Sequence, residues 1–396
     1  MKQTVYIYIQ QDDSVAYQTL GRLTVENGVG HWLYSTQYKD DWVPDSLHYP
    51  FSHDEYVIKT NNGIPCFILD LIPDAWGKSL LKDTSTPLDF LIRSPNADRF
   101  GNLIVGEQRR PPKNVVAEKF HSFDVLPEFI QFIDQVQSHQ LVDPKTISKF
   151  KTSLGGAKPK LTVRQGNDLF ITKPTDQEVD IARIESICLN VARQIGLNVC
   201  ESILEEVEVD GKCRSVLLLK RFDRIFDHEK QLFKRIPTLS ALSLLNATWL
   251  PRDSERWSYP LLAQTMLEMK MPIADVHELY KRMIFNTLIG NDDDHPKNHA
   301  FYFIHQQWRL APLYDVVTNI EYVPSRLAMK IGTQGESIDL GNLLSMAESF
   351  QLNHDEATQI IHHIYSFQPI MQTQFKNELS DTDYEIVSRS LFTLKQ

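Results

Sequence analysis

The period of the hydrophobic pattern changes near residue 239, and this change constrains the fold more than any other feature of the 396-residue chain. Before it, TVYIYIQ, AYQTLGRLTVENGVGHWLYS, KLTVR, DLFITKP and RSVLLLKRF alternate or run apolar as strands do, with turn residues such as Asn27 and Gly28 between them. After it, SYPLLAQTMLEM, VHELYKRMIFNTLIG and HDEATQIIHHIYSF carry apolar residues every three or four positions, the period of helices lying on a core. Strands gathered first and helices later predict an α+β chain.

A chain of this length exceeds what one ordinary core fills, so several packed units are expected. Three segments suggest themselves. Residues 1–112 read as a β-rich amino-terminal subdomain ending at Pro111 and Pro112, with FILDLIPDAWGKSLLKD near helical spacing but interrupted at Pro73. Residues 113–230 read as a linking helix, FDVLPEFIQFIDQVQS, followed by a strand-rich small lobe. Its one amphipathic helix, VDIARIESICLNVARQIG, repeats Ile181, Ile184, Cys188, Val191, Ala192 and Ile195 along one face. Residues 231–396 read as a larger helical lobe.

Composition excludes several classes of function. A formal net charge of -10 opposes a protein that holds nucleic acid alone, since such binding rests on neutralising phosphates with Lys and Arg. No run of about 18 uncharged apolar residues occurs, and the start MKQTVYIYIQ alternates instead of showing a signal layout, so a cytoplasmic protein without membrane contact is expected. Cys66, Cys188, Cys200 and Cys213 show no C-x-x-C pairing and read as reduced core cysteines.

The stretch NTLIGNDDDHPKNHAFYF sets Asp292, Asp293 and Asp294, then His295, Lys297 and Asn298, between an apolar helix pattern and an apolar strand pattern. Clustered carboxylates repel unless a cation or a phosphate-bearing ligand is near, so a metal site is a reasonable inference beside the blander reading of a solvated acidic turn. Asp315, in WRLAPLYDVVTN, supplies a second hard ligand. Mg²⁺ is held in kinases by an Asn and an Asp from two adjacent loops, and Asp293 stands to Asn298 in the pattern D-x-x-x-x-N of a kinase catalytic loop.

Upstream, KTSLGGAKPKLTV places Ser153, Gly155, Gly156, Lys158 and Lys160 before a strand, where glycines let backbone N–H groups approach phosphates and lysines add positive charge. A two-glycine hairpin turn is the competing reading. Lys173, in DLFITKPT, follows as a strand lysine that would pair the phosphates, with Glu185 or Glu178 as its orienting partner. In VLLLKRFDR an apolar run suits a hinge, with Leu219 and Lys220 flanking an adenine and Phe222 or Asp223 near the ribose, against the alternative of one more buried strand. There is no G-K-[ST], H-E-x-x-H or G-x-S-x-G.

With these residues assembled, the chain resembles the HipA family of bacterial toxin kinases over nearly its whole length. N-D-D-D-H-P-K-N is similar to the family's N-x-D-x-H-x-K-N, A-P-L-Y-D-V-V to its P-x-Y-D segment, and S-L-G-G-A-K-P-K to S-x-x-G-A-Q-x-K, with Lys158 in place of Gln and Pro159 after it. R-F-D-R, L-I-P-D-A-W-G and R-F-G-N-L resemble further family motifs. The resemblance implies a two-lobed protein-kinase-like fold with an added amino-terminal subdomain, and ATP and Mg²⁺ as cofactors. It implies Asp293 as the base that orients the substrate hydroxyl, Asn298 and Asp315 as Mg²⁺ ligands, Lys173 on the ATP phosphates and Ser153 as a site of autophosphorylation. Lys297 adds to charge neutralisation. It further implies a protein substrate, with an aminoacyl-tRNA synthetase as one possibility, and a small DNA-binding antitoxin of HipB type through which alone DNA is met. A small-molecule phosphotransferase and a catalytically silent binding module of the same fold are the alternatives.

Overall fold

The computed structural model describes residues 2–10, 16–40, 42–81, 84–111, 120–175, 178–248 and 255–391. They fall into two compact units that interleave along the chain. The first comprises Met1–Pro174, Val207–Arg214 and Lys220–Leu239, and the second Thr175–Glu206, Ser215–Leu219 and Ser240–Gln396. This grouping is coarser than the three expected segments, and Pro112, the expected end of the first segment, lies outside the described residues. No helix among the described residues is long and apolar enough to cross a membrane.

The first unit opens with a five-stranded antiparallel sheet. Strands Lys2–Gln10, Tyr17–Glu26, Val29–Tyr34 and Tyr56–Ile58 follow in order, and Leu103–Gly106 pairs on the other side of the first. Asn27 and Gly28 both take positive φ (50° and 80°), the conformation that a two-residue turn needs to match strand twist. Pro73 separates two short helices, Cys66–Leu69 and Ala75–Ser79, because it cannot continue the first. The linking helix Leu126–Gln137 buries Phe129 and Phe132 against Phe150 (ring centroids 5.2 and 5.0 Å). Strand Leu161–Gln165 then pairs antiparallel with Asp168–Pro174 and parallel with His121–Ser122.

Four buried arginines, Arg99, Arg221, Arg224 and Arg235, hold this unit's interior together. The guanidiniums of Arg221, Arg224 and Arg235 donate to the main-chain carbonyls of Asn96, Ala97, Asp98, Arg99 and Gly101, and that of Arg99 to the carbonyls of Leu71, Leu91 and Ser94, so irregular segments that could not satisfy themselves are satisfied by side chains. Asp223 is the carboxylate at their centre. It accepts from Arg221 through both oxygens (2.9 and 2.8 Å), from Arg224 at 2.6 Å and from the Gly101 N–H at 2.9 Å, and the arginines hold its pKa well below the usual carboxylate range against the opposing effect of burial. This corrects the expectation of a ribose contact: at 2 % exposure, with both oxygens committed to protein donors, Asp223 is a structural anchor. A second correction concerns the cysteines. All four are free thiols, and Cys66, Cys188 and Cys200 are buried, but Cys213 is exposed on a strand.

In the second unit, helix Ile181–Ile195 buries the predicted stripe from Ile184 to Ile195, leaves Ile181 half-buried and stops at Gly196. The unit's central element is helix Ile273–Ile289, buried along most of its length and ended by Gly290 at φ 64°, a left-handed cap. Strands Ala300–Ile304 and Gln307–Leu310 form a hairpin beyond it. Between helix and hairpin runs a chain of buried polar groups. The Tyr259 hydroxyl donates to Asp294 Oδ2 (2.6 Å), accepts from the Asn286 amide (3.0 Å) and lies 3.2 Å from His299 Nε2. Asp294 Oδ1 accepts from the Ala328 N–H at 2.6 Å. Burial raises the Asp294 carboxyl to about 7 and lowers the His299 imidazole to about 3.

Two expected outcomes follow for stability. Asp223→Ala leaves Arg221 and Arg224 buried without their carboxylate and is expected to cost about 3–5 kcal/mol in urea unfolding. A residue that served only a ribose would leave stability unchanged. For pH, Asp294 binds its proton more tightly folded than unfolded, so its contribution falls as pH rises from about 4 to 7. His299 is neutral in the fold down to about 3 but charged in the unfolded chain below about 6.5, so its contribution rises between those values. The two slopes oppose each other in the wild type. Unfolding measured from pH 4 to 6.5 should show Asp294→Asn gaining about 1 kcal/mol per pH unit relative to wild type; parallel profiles would refute the buried pair.

Candidate active site

The second unit assembles the acidic stretch from both ends. Gly290 lets the chain turn off helix Ile273–Ile289, and Asn291 then bonds back to it, its N–H on the Asn286 carbonyl (2.9 Å) and its amide on Asn286 Oδ1 (3.0 Å). Asn291 Oδ1 in turn accepts the Asp293 N–H at 3.2 Å. The short 3₁₀ turn Pro296–Asn298 closes the loop, with the Asn298 amide nitrogen on the Asp293 carbonyl at 2.7 Å. That bond uses the amide nitrogen and leaves to other partners the amide oxygen, a hard donor of the kind Mg²⁺ takes.

The three carboxylates point three ways, which relieves the repulsion that their adjacency implies. Asp294 is buried in the Tyr259 network. Asp292 accepts from Asn319 and Tyr322. The Asp293 side chain is 84 % exposed, with His295 Nε2 at 3.6 Å. Burial lowers the His295 pKa, while Asp293 and Asp315 both pull it up, so the imidazole lies within the field of both carboxylates.

Asp315 arrives on the segment that leaves strand Gln307–Leu310. The Leu313 N–H donates to the Asn198 carbonyl (2.8 Å) and its carbonyl accepts the Cys200 N–H (3.0 Å), fixing the chain two residues before Asp315. Next to it, the Tyr314 hydroxyl donates to the Lys297 carbonyl at 3.3 Å, so this segment adjoins the turn that carries Asn298. Asp315 itself has φ 57°, a left-handed conformation that a non-glycine residue holds at some cost, as functional sites often require. Asp293, Lys297, Asn298 and Asp315 are thereby gathered within one unit around His295.

The first unit carries the glycine-rich loop. Gly156 has φ 101°, a conformation that L side chains rarely adopt, and a Cβ there would lie 2.0 Å from Lys160 Nζ and displace the lysine head. The Gly156 N–H donates to Asp74 Oδ2 at 2.8 Å, so the L-I-P-D-A-W-G motif anchors the loop. Lys160 is largely buried, whereas Lys158 is exposed. Ser153 is also buried, 3 % exposed, and its hydroxyl has no hydrogen-bond partner among the described residues. Lys173 is half-buried on strand Asp168–Pro174. Lys220 pairs with Asp168 at 3.2 Å, and the Phe222 ring packs edge-on against Phe100 at 5.7 Å. Leu219 and Glu185 belong to the second unit and are buried, Glu185 on helix Ile181–Ile195, while Glu178 is exposed.

The contacts of Asp74, Tyr259, Asn319 and Tyr322, and the separate environment of Asp292 within the acidic run, are not legible in the sequence, because the partners of each come from distant parts of the chain.

Comparison with known proteins bears on family and fold. Residues 152–369 match the family model described as the HipA-like C-terminal domain. The serine/threonine-protein kinase toxin HipA of Shewanella oneidensis is 23% identical over 303 residues, 69% of this chain and 67% of that protein. A toxin of Escherichia coli K12 is 25% identical over 300 residues, 68% of this chain and 62% of that protein. Three relatives from Sinorhizobium fredii and Haemophilus influenzae, 26–27% identical, are matched over only 35–53% of their own lengths. The solved structure of the Shewanella oneidensis MR-1 HipA, HipB and operator DNA complex superimposes with a TM-score of 0.68 at 16% identity, covering 97% of this chain and 94% of that chain. The fold is accordingly α+β and two-lobed, of the protein-kinase-like type. Since the matched region takes in more than half of the sequence and holds the glycine-rich loop, the acidic loop and the Asp315 segment together, the chain belongs to the HipA family.

Proposed function

We propose that the chain is a HipA-like toxin, an ATP-dependent serine/threonine protein kinase that acts on a cytoplasmic protein and on its own Ser153. The observation that carries this reading is the gathering of Asp293, Lys297, Asn298 and Asp315 around His295, on two loops held to each other by the bond from Tyr314 to Lys297. Asp293 is exposed and ionisable, as a group that must meet a substrate hydroxyl has to be. It would orient that hydroxyl and take its proton as the oxygen attacks phosphorus. Lys297 would offset negative charge on the transferring group.

Asn298 and Asp315 are the residues that would hold Mg²⁺. Two protein ligands suit a cation whose shell is completed by phosphate oxygens and water. When bound, Mg²⁺·ATP supplies the phosphoryl group and the cation that neutralises it. Gly155, Gly156, Lys160 and Lys173 would receive the phosphates, and Leu219, Lys220 and Phe222 would border the base. The partner in this reading is a small DNA-binding antitoxin of HipB type, as the complex solved for the Shewanella oneidensis protein suggests. DNA would then be met through that partner.

Ser153 adds a switch. Its hydroxyl is buried, so phosphorylation requires the loop to leave its seat, and the added charge of about -1.5 to -2 opposes its return. Protein phosphorylated at Ser153 should bind ATP at least tenfold more weakly in calorimetric titration; equal affinity would remove the switch.

The central test is mass spectrometry after incubation with ATP, Mg²⁺ and a cell extract. Phosphate is expected on Ser153 and on serines of extract proteins, with the rate reduced about 10²–10⁴-fold in Asp293→Gln and Mg²⁺-dependent ATP binding lost in Asp315→Asn. Transfer by Asp293→Gln at the wild-type rate would deny that residue its role. Phosphate found only on sugars or antibiotics would convert the reading to a small-molecule phosphotransferase, and no transfer at all to a silent binding module.

A further inference from the structure

In the pattern N-x-D-x-H-x-K-N, Asp292 falls on a variable position, and the chemistry proposed above gives it no part. Its geometry is nevertheless specific. Asp292 Oδ1 accepts from the Asn319 amide at 2.9 Å and Oδ2 from the Tyr322 hydroxyl at 2.6 Å. Asn319 is tied down in two further ways: its N–H donates to the Gly290 carbonyl (3.0 Å), and its Oδ1 accepts the N–H groups of Glu321 and Tyr322 at 2.8 and 3.1 Å.

Val316 and Thr318 are buried, but apolar packing does not explain why residues 319–323 beyond them stay in place. Tyr322 is 55 % exposed and Val323 47 %, so the ring body faces solvent while its hydroxyl is held. A hydrogen bond from a hydroxyl to an ionised carboxylate is short and strong for its class, and here two donors converge on one carboxylate. Both ends of this bridge lead by the chain into the candidate site. Asp292 precedes Asp293 directly, and Asn319 lies four residues after Asp315, whose left-handed backbone needs support from its surroundings.

We propose that Asp292 is a positioning residue that latches residues 319–323 onto the catalytic loop through Asn319 and Tyr322, so that the chain leading back through buried Val316 and Thr318 to Asp315 is held in place before a cation arrives. The inference rests on the kinase reading, because the benefit of a preset Asp315 is realised when the metal-bound nucleotide binds. It differs from a fold-stabilising role in its consequences. Loss of the latch frees a surface segment and leaves the buried core of the unit unchanged.

The test uses the full chain with Asp292→Asn and Tyr322→Phe. Hydrogen exchange without nucleotide should rise about tenfold or more at the amides of Asn319, Glu321 and Tyr322 in both variants, with the melting temperature within about 2 °C of wild type. The Mg²⁺ concentration for half-maximal binding of a non-hydrolysable ATP analogue should rise about 3–10-fold. Unchanged exchange in both variants overturns the latch, and faster exchange with unchanged Mg²⁺ dependence overturns its positioning role. A wild type that binds no analogue at any Mg²⁺ concentration removes the kinase reading together with this inference, whereas a wild type that binds while both variants match it removes this inference alone.

Discussion

The guanidinium of Arg282, two per cent exposed in the middle of helix Ile273–Ile289, donates to the carbonyls of Ala311 (2.9 Å) and Asn198 (3.1 Å). Glu278, one turn earlier, pairs with it at 3.1 Å and also accepts the Asn198 N–H at 2.9 Å. Two separate stretches of the second unit, the loop after helix Ile181–Ile195 and the chain that delivers Asp315, are thereby tied to the helix whose own end delivers Asp293. A buried charge is tolerated because carbonyl dipoles and Glu278 replace the water it has lost, and breaking such a set is costly for the same reason. The placement of the candidate site depends on this clamp, since neither loop has enough regular structure of its own to be rigid.

On that frame the acidic stretch resolves into distinct tasks. Asp294 is drawn into the core, where Tyr259 and the Ala328 N–H satisfy it. Asp292 turns to a neighbouring surface segment, and Asp293 alone is presented to solvent. Adjacent like charges are affordable when each has its own environment. The environments here come from helix Tyr259–Glu268, from the residues around Asn319 and from the segment at Ala328, none of which is near the stretch in sequence.

The first unit shows the reverse economy, with one carboxylate serving several cations. Asp223 sits among Arg221 and Arg224, and together with Arg235 these arginines direct most of their remaining donors to the carbonyls of a single irregular segment. A motif such as R-F-D-R can look like part of a nucleotide site because its charges are striking in a line of text. Burial decides otherwise, because an aspartate whose oxygens are both occupied by protein donors has none to offer a ligand. Asp74 carries the opposite lesson: placed far upstream of the glycine-rich loop, it accepts the N–H of Gly156 and so takes part in the loop's shape.

The sequence by itself determined the local elements and their order. The two-residue period gave the strands of the first sheet, the stripe from Ile181 to Ile195 gave its helix, Asn27–Gly28 gave a hairpin turn, and Pro73 gave a break, because each of these is set by neighbours within a few residues. It also pointed to Asp293, Asn298 and Asp315 through spacing that is local within each loop. Tertiary structure decided which charges are tools and which are fastenings. That Asp223 is a fastening, that Asp292 holds Tyr322 and that Cys213 is exposed while its fellows are buried all depend on partners or cover brought from elsewhere in the chain. The energy of a charged side chain is governed by the dielectric and the donors around it, and those are fixed only when distant segments pack together.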